Sequence, residues 1–183
     1  MNAIGVDGSV NAGKWILRGE SAYIMTPNND GTNPLEIPTH WDSVFGIERS
    51  FWDDFRIQTQ FIYRTFPKYS SPDGVGGPDP ISVTVNQTMA QDNALLLNYQ
   101  DQTRPSGTLR FGYLNEKNGI DGEIFFLQNF TGGDYLLRPR LTYAWTDFLK
   151  TTVGAELYGG PTNRPLGGLN SYSAIFSEVK YTF

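Results

Sequence analysis

The sequence predicts an all-β chain folded as an antiparallel up-and-down transmembrane β-barrel, with about nine strands in this chain as part of a larger barrel. Apolar and polar residues alternate with period two along most of the chain, the signature of strands with two unlike faces. The composition favours strands, with 12 Phe, 10 Tyr, 4 Trp and 20 Gly among 183 residues. Tight connections alternate with long ones, the habit of barrels with short periplasmic turns and longer outer loops.

Each strand can be read in order. Ile4, Val6 and Val10 oppose Asp7 and Ser9 in a short first segment. Trp15, Leu17, Tyr23 and Met25 oppose Arg18, Glu20 and Ala22. Trp41, Phe45, Ile47 and Phe51 oppose Asp42, Gly46, Glu48 and Ser50, with Arg49 interrupting the apolar row. Phe55, Ile57, Thr59, Phe61 and Tyr63 oppose Arg56, Gln58, Gln60 and Arg64. In the following loop, 67–105, Val85, Met89, Asn93, Leu96 and Leu97 fall at helical spacing, which predicts a short helix there rather than a strand over 92–100. Leu109, Phe111 and Tyr113 oppose Thr108, Arg110 and Gly112. The stretch 120–130 is mixed, because Phe125 and Leu127 crowd the face of Asp121 and Glu123. Tyr135, Leu137, Pro139, Leu141, Tyr143 and Trp145 oppose Arg138, Arg140, Thr142 and Thr146. Leu149, Val153, Ala155 and Leu157 oppose Lys150, Thr152, Glu156 and Tyr158, and Ile175, Val179, Tyr181 and Phe183 oppose Glu178, Lys180 and Thr182.

The apolar face either fills a soluble core or meets lipid. Aromatic residues at strand ends favour lipid. Trp41 and Phe51 bracket one strand ten residues apart, as do Tyr135 and Trp145. Ten residues at a rise of about 3.3 Å and a tilt near ~45° span roughly 23 Å, close to the apolar band of an outer-membrane barrel. With Trp15, Tyr181 and Phe183 these rings form the expected membrane-interface set. Asp7, Asp42 and Glu123 lie on the polar face, which carries both signs in near balance through Arg18, Arg56, Arg64, Arg110, Arg138, Arg140, Lys150 and Lys180 beside Glu20, Glu48, Glu156 and Glu178. These are the candidate lumen and selectivity residues, with arginine predominating at mid-strand, where its planar fork pairs with carboxylates. The terminal Tyr181-Thr182-Phe183 is similar to the aromatic C-terminal signature of outer-membrane barrels, which implies the barrel-assembly machinery as a partner.

Several classes of function are excluded or made unattractive. There is no cysteine, so disulfides, thiolate catalysis and Cys-based zinc sites are out. Net charge is -5, which argues against a nucleic-acid partner. No apolar run exceeds four residues, so no transmembrane helix is expected. The opening MNAIGVDGSV has no basic segment before an apolar stretch, so no signal peptide is expected within these residues. His40 is the single histidine; beside Trp41 and Asp42 it offers at most a rim hydrolase with one candidate, and a solvated loop histidine is the simpler reading. Asn28, Asn29, Asp30 and Gly31 lack the acidic spacing of a calcium loop and read as a loop-stabilising turn. Gly74, Gly76 and Gly77 neither follow a strand nor open a helix, so no phosphate cradle is expected. No catalytic residue, metal or cofactor is assigned.

With the C-terminus periplasmic, every long connection (26–39, 67–105, 159–168) falls outside and the tight ones at 11–14, 52–54 and 146–148 fall inside. Single-chain bacterial barrels use even strand numbers, so an odd count of nine predicts closure by a missing N-terminal barrel half or an oligomer partner. Gly5-Val6-Asp7, Leu17-Arg18-Gly19-Glu20, Phe45-Gly46-Ile47-Glu48, Arg138-Pro139, Gly154-Ala155-Glu156, Gly159-Gly160 and the closing Tyr181-Thr182-Phe183 together resemble the second half of large, little-characterised porin-like barrels of Gram-negative outer membranes. That resemblance implies an outer-membrane location, lipid as a partner, and passive diffusion of small solutes or a non-conducting scaffold. A soluble β-barrel binding an apolar ligand is the alternative.

Overall fold

A computed structural model describes residues 1–33, 36–52 and 54–183. The turn expected at Asp53 and loop positions 34 and 35 lie outside the described residues. Nine strands form: β1 (Asn2–Ala12), β2 (Trp15–Met25), β3 (His40–Phe51), β4 (Phe55–Thr65), β5 (Thr103–Asn115), β6 (Ile120–Asn129), β7 (Tyr135–Ala144), β8 (Leu149–Gly159) and β9 (Ala174–Tyr181). They make one antiparallel sheet in sequence order, β1 to β9, an up-and-down arrangement that is not closed. No described helix is long and apolar enough to cross a membrane, which leaves crossing by strands untouched.

The chain divides into two compact units. One comprises Met1–Gly8, Gly19–Val44 and Ile62–Pro105; the other comprises Ser9–Arg18, Phe45–Phe61 and Ser106–Phe183. In the second unit the register places Phe111 opposite Ile124 and Ile124 opposite Pro139, and sets Gly122, Leu141, Val153 and Ser177 in one row. This register resolves the mixed stretch 120–130. Ile120, Gly122, Ile124 and Phe126 join the apolar face, and Phe125 and Leu127 sit on the charged one. Gly154 leaves room for a ring on that charged face, since a Cβ there would lie 2.6 Å from the Phe176 ring. An aromatic ring laid over a strand glycine restores packing that glycine alone lacks.

The first unit holds α1 (Pro80–Leu96) between β4 and β5. Asp79 caps it, its Oδ1 accepting from the backbone N–H groups of Ile81 and Ser82 at 3.0 Å each, and Pro80 opens the first turn. The helix falls within the stretch where helical spacing predicts it, and it is longer than the short one expected. Ala90 and Ala94 are buried, whereas Val85, Met89 and Leu96 are exposed. Small side chains are needed there because Phe66 and Tyr99 pack in the same cluster as Ala94, with Ile37 and Tyr69 alongside. Hydrogen bonds from Ser82 hold the fully exposed Asp79 carboxyl below its ordinary value of 3.8. Its capping therefore persists above that value and is lost as pH falls through the lower, folded value. Asp79→Ala should speed amide exchange at Ile81 and Ser82 at neutral pH, a change the parent protein shows only in strong acid.

Candidate functional site

The described buried hydrophobic side chains are Phe66, Ala90, Ala94 and Tyr99, all in the first unit. The second unit buries none of its described apolar side chains. Leu109, Ile124, Leu141 and Val153 occupy mid-strand apolar rows there and are each 47–49% exposed. Leaving the exposed half of each side chain uncovered forgoes roughly 1 kcal/mol relative to full burial.

The opposite face of the second unit is built of ion-paired clusters. Glu48 lies between Arg18 and Arg56, 3.4 Å from each. Glu123 accepts from Arg110 Nε at 2.8 Å, with the Arg110 Nη2 closer still and Arg140 Nη2 at 3.9 Å. The register causes this, since Glu123 stands directly opposite Gly112 on β5 and Arg140 on β7. Glu156 pairs with Arg138 at 3.0 Å. Thr142 and Thr152 share a hydrogen bond of 2.9 Å, and Thr108 Oγ1 lies 3.4 Å from Gln60 Oε1. The side chain of Glu48 is 12% exposed and that of Arg18 is 55% exposed, so carboxylates sit low on this face of the sheet and guanidinium groups reach outward. Such half-exposed pairs are worth only about 0–1 kcal/mol in stability, so they make a polar, charged face more than struts.

The remaining candidates are placed less tightly. Lys150 stands opposite Lys180 and Thr152 opposite Glu178 across β8 and β9, a like-charge pairing that costs stability. Among the described residues, Lys150, Lys180, Glu178 and Glu20 have no ion-pair partner within 4 Å. Glu20 instead borders a hollow in the first unit with Asp7, Ser21 and Asp42. Arg64 grips Asp42 with two hydrogen bonds of 2.7 Å in the same unit.

His40 is not the solvated loop residue expected from its position. It is 3% exposed and its ring lies 5.4 Å from that of Phe66. Its Nδ1 lies 2.8 Å from the Pro38 carbonyl, which only accepts, so Nδ1 carries the proton and donates. Nε2 faces Asp42 at 3.8 Å. The residue thus ties loop 26–39 to the cluster around Phe66. Asn28 braces the same loop, its Nδ2 donating to the carbonyls of Asn33 and Glu36 at 2.8 Å, and its Oδ1 accepts from the Asn33 N–H at 3.0 Å, as expected of a stabilising turn.

The aromatic candidates occupy the apolar rows, and the indole N–H groups of Trp41 and Trp145 are satisfied. Trp41 lies 5.6 Å from Tyr23 and donates to Ser21 Oγ at 2.6 Å. Trp145 meets Tyr143 edge-on at 4.8 Å and donates to Thr151 Oγ1 at 3.0 Å. Tyr135 stacks toward Phe126 at 6.1 Å, and Tyr181 and Phe183 are exposed. Trp15 and Phe51 flank Arg49, at 4.7 and 4.4 Å from ring centre to guanidinium carbon.

Sequence reasoning sets Asp42 and Glu123 on the polar face but outside the lumen candidate set. Asp42 and Glu123 each serve an arginine there, and Glu123 serves two. Their signal was present as phase, each sharing a face with arginines on neighbouring strands, but the apolar bulk of Phe125 and Leu127 masked it for Glu123. No described group of three or more acidic or histidine side chains is arranged for a metal ion. Comparison with protein-family models finds no match, and comparison with curated proteins finds none either.

Proposed function

We propose that this chain forms part of the wall of a porin-like β-barrel in a Gram-negative outer membrane, admitting small solutes by passive diffusion. The observation that carries the reading is the unlike pair of faces on one sheet. Leu109, Ile124, Leu141 and Val153 stand half-exposed with no core beneath them, and Arg–Glu clusters line the reverse side. Lipid would cover the first face at no cost, and water would solvate the second. The unpaired edges of β1 and β9 cannot stay bare in hydrocarbon, where each unsatisfied backbone group costs several kcal/mol, so further strands complete the wall.

In this reading the clusters centred on Glu48, Glu123 and Glu156 form a mixed-charge lining that keeps water in the passage and biases which ions enter. Planar-bilayer recording tests it. The expected result is stepwise conductance from the closed barrel; none from an inserted barrel whose closure, by further strands or by a partner, is demonstrated would overturn the channel. Glu123→Gln unpairs Arg110 and Arg140. It should raise chloride over potassium permeability by about two- to fourfold, the scale of one unit charge acting across ~5 Å of water. Reversal potentials in a salt gradient measure it.

An apolar hollow of about 500 Å³ bordered by Phe111, Tyr113, Ile124, Leu141, Val153 and Ile175 favours a second reading, a β-sheet that binds an apolar ligand in water. Folding to a monodisperse species without detergent or lipid would select it.

A further inference from the structure

The apolar rows of the nine strands contain one charged residue, Arg49. Its neighbours Glu48 and Ser50 project to the opposite face, so no carboxylate on its own strand answers it. Among the described residues it has no ion pair within 4 Å, and its Nε is buried with no hydrogen-bond partner. The guanidinium is held by rings instead, between Trp15 and Phe51. Those rings belong to a continuing series in the second unit. Phe51 lies 6.1 Å from Trp52, Trp52 lies 6.1 Å from Phe55, and Phe55 lies 4.6 Å from Tyr113. Trp52 is 83% exposed.

A cation in an apolar row is costly unless its surroundings supply an anion. Ring faces hold the flat sides of a guanidinium but leave its edge, with the Nη donors, free to accept a tetrahedral oxyanion through two parallel hydrogen bonds. A belt of aromatics carrying exposed tryptophans, as Trp15 and Trp52 are, is also the mark of the membrane interface, the depth at which headgroup phosphates lie. We infer that Arg49, framed by Trp15 and Phe51, is a binding site for the phosphate of an anionic phospholipid headgroup. This inference rests on the membrane reading above. Under the orientation expected there, the turns beside Trp15 and Phe51 are periplasmic, which sets the site in the phospholipid leaflet.

The test is lipid co-purification. Protein inserted into vesicles of equal phosphatidylcholine and phosphatidylglycerol is extracted in mild detergent, and the retained lipids are quantified. The expected result is about fivefold enrichment of phosphatidylglycerol, the scale of one interfacial arginine, reduced by salt. Arg49→Met keeps the aliphatic bulk between the rings and should bring the ratio to unity. Equal retention by the parent protein, or enrichment unchanged in Arg49→Met, overturns the site while insertion stands. Should Arg49→Met fail to insert, loss of the parent's enrichment in high salt supports the site and its persistence overturns it. Failure of the parent to insert into any vesicle overturns the membrane reading, and this proposal with it.

Discussion

Leu141→Arg is expected to abolish stable insertion, whereas on a water-facing sheet the same substitution would be nearly silent. Leu141 sits near the middle of β7, between Gly122 and Val153 in the apolar row, and is 49% exposed. If that row faces acyl chains, arginine at this depth costs about 2–4 kcal/mol, which reduces the folded population roughly thirty- to thousandfold. If the row faces water, replacing a half-exposed leucine stays within about 0.5 kcal/mol. Thr142→Arg, one residue on and turned to the charged face, is the control, because that face already carries arginine. Urea titrations of the two variants in vesicles, read by circular dichroism, separate the outcomes. Equal midpoints for Leu141→Arg and the parent would sink the lipid-facing assignment.

Phe66→Ala should release the long loop without unfolding the second unit. Phe66 is fully buried, with His40 at 5.4 Å, Tyr99 edge-on at 6.2 Å, and Ala94 in the same cluster. Truncating a buried phenylalanine costs about 3–5 kcal/mol, and the alanines of α1 are too small to fill the space. Its backbone N–H still meets the Gln102 carbonyl at 2.9 Å, so the loop's base should survive. Trypsin should therefore cut at Lys68 in the variant far faster than in the parent, while the segment from Ser106 onward stays resistant. Burial raises the Tyr99 hydroxyl above its ordinary value of 10.0, so the parent's cluster should itself loosen in alkali. That contribution is present below pH 10.0 and is lost as pH rises through the folded value.

Strands were the most legible part of the molecule, because a period of two needs no knowledge of neighbours. Trp15–Met25 and Tyr135–Ala144 follow directly from alternation. The face of β6 did not, since Phe125 and Leu127 fit either side until the partners Arg138 and Leu136 fix it. Helical spacing located α1 but says nothing of which face is buried, because burial there is decided by the rings of Phe66 and Tyr99, the first of them remote in sequence. The same remoteness hid the burial of His40 against Phe66. Arg49 looked like a defect in a row because the rings that hold it include one from another strand, Trp15. Charge clusters are half legible: phase gives the face, and only the folded structure shows that Glu48 and Glu123 each meet two arginines.

The ring of Phe176 resting over Gly154 has a consequence beyond local packing. It pins β9 to β8 against sliding, and a slip of one position would turn every side chain inside out. A tenth strand zipping onto the outer border of β9 would thus meet a fixed template. To keep grease and charge on their proper sides, the newcomer must alternate in step with Ile175, Val179 and Tyr181. Candidate continuations of the wall can be ranked by that rhythm alone.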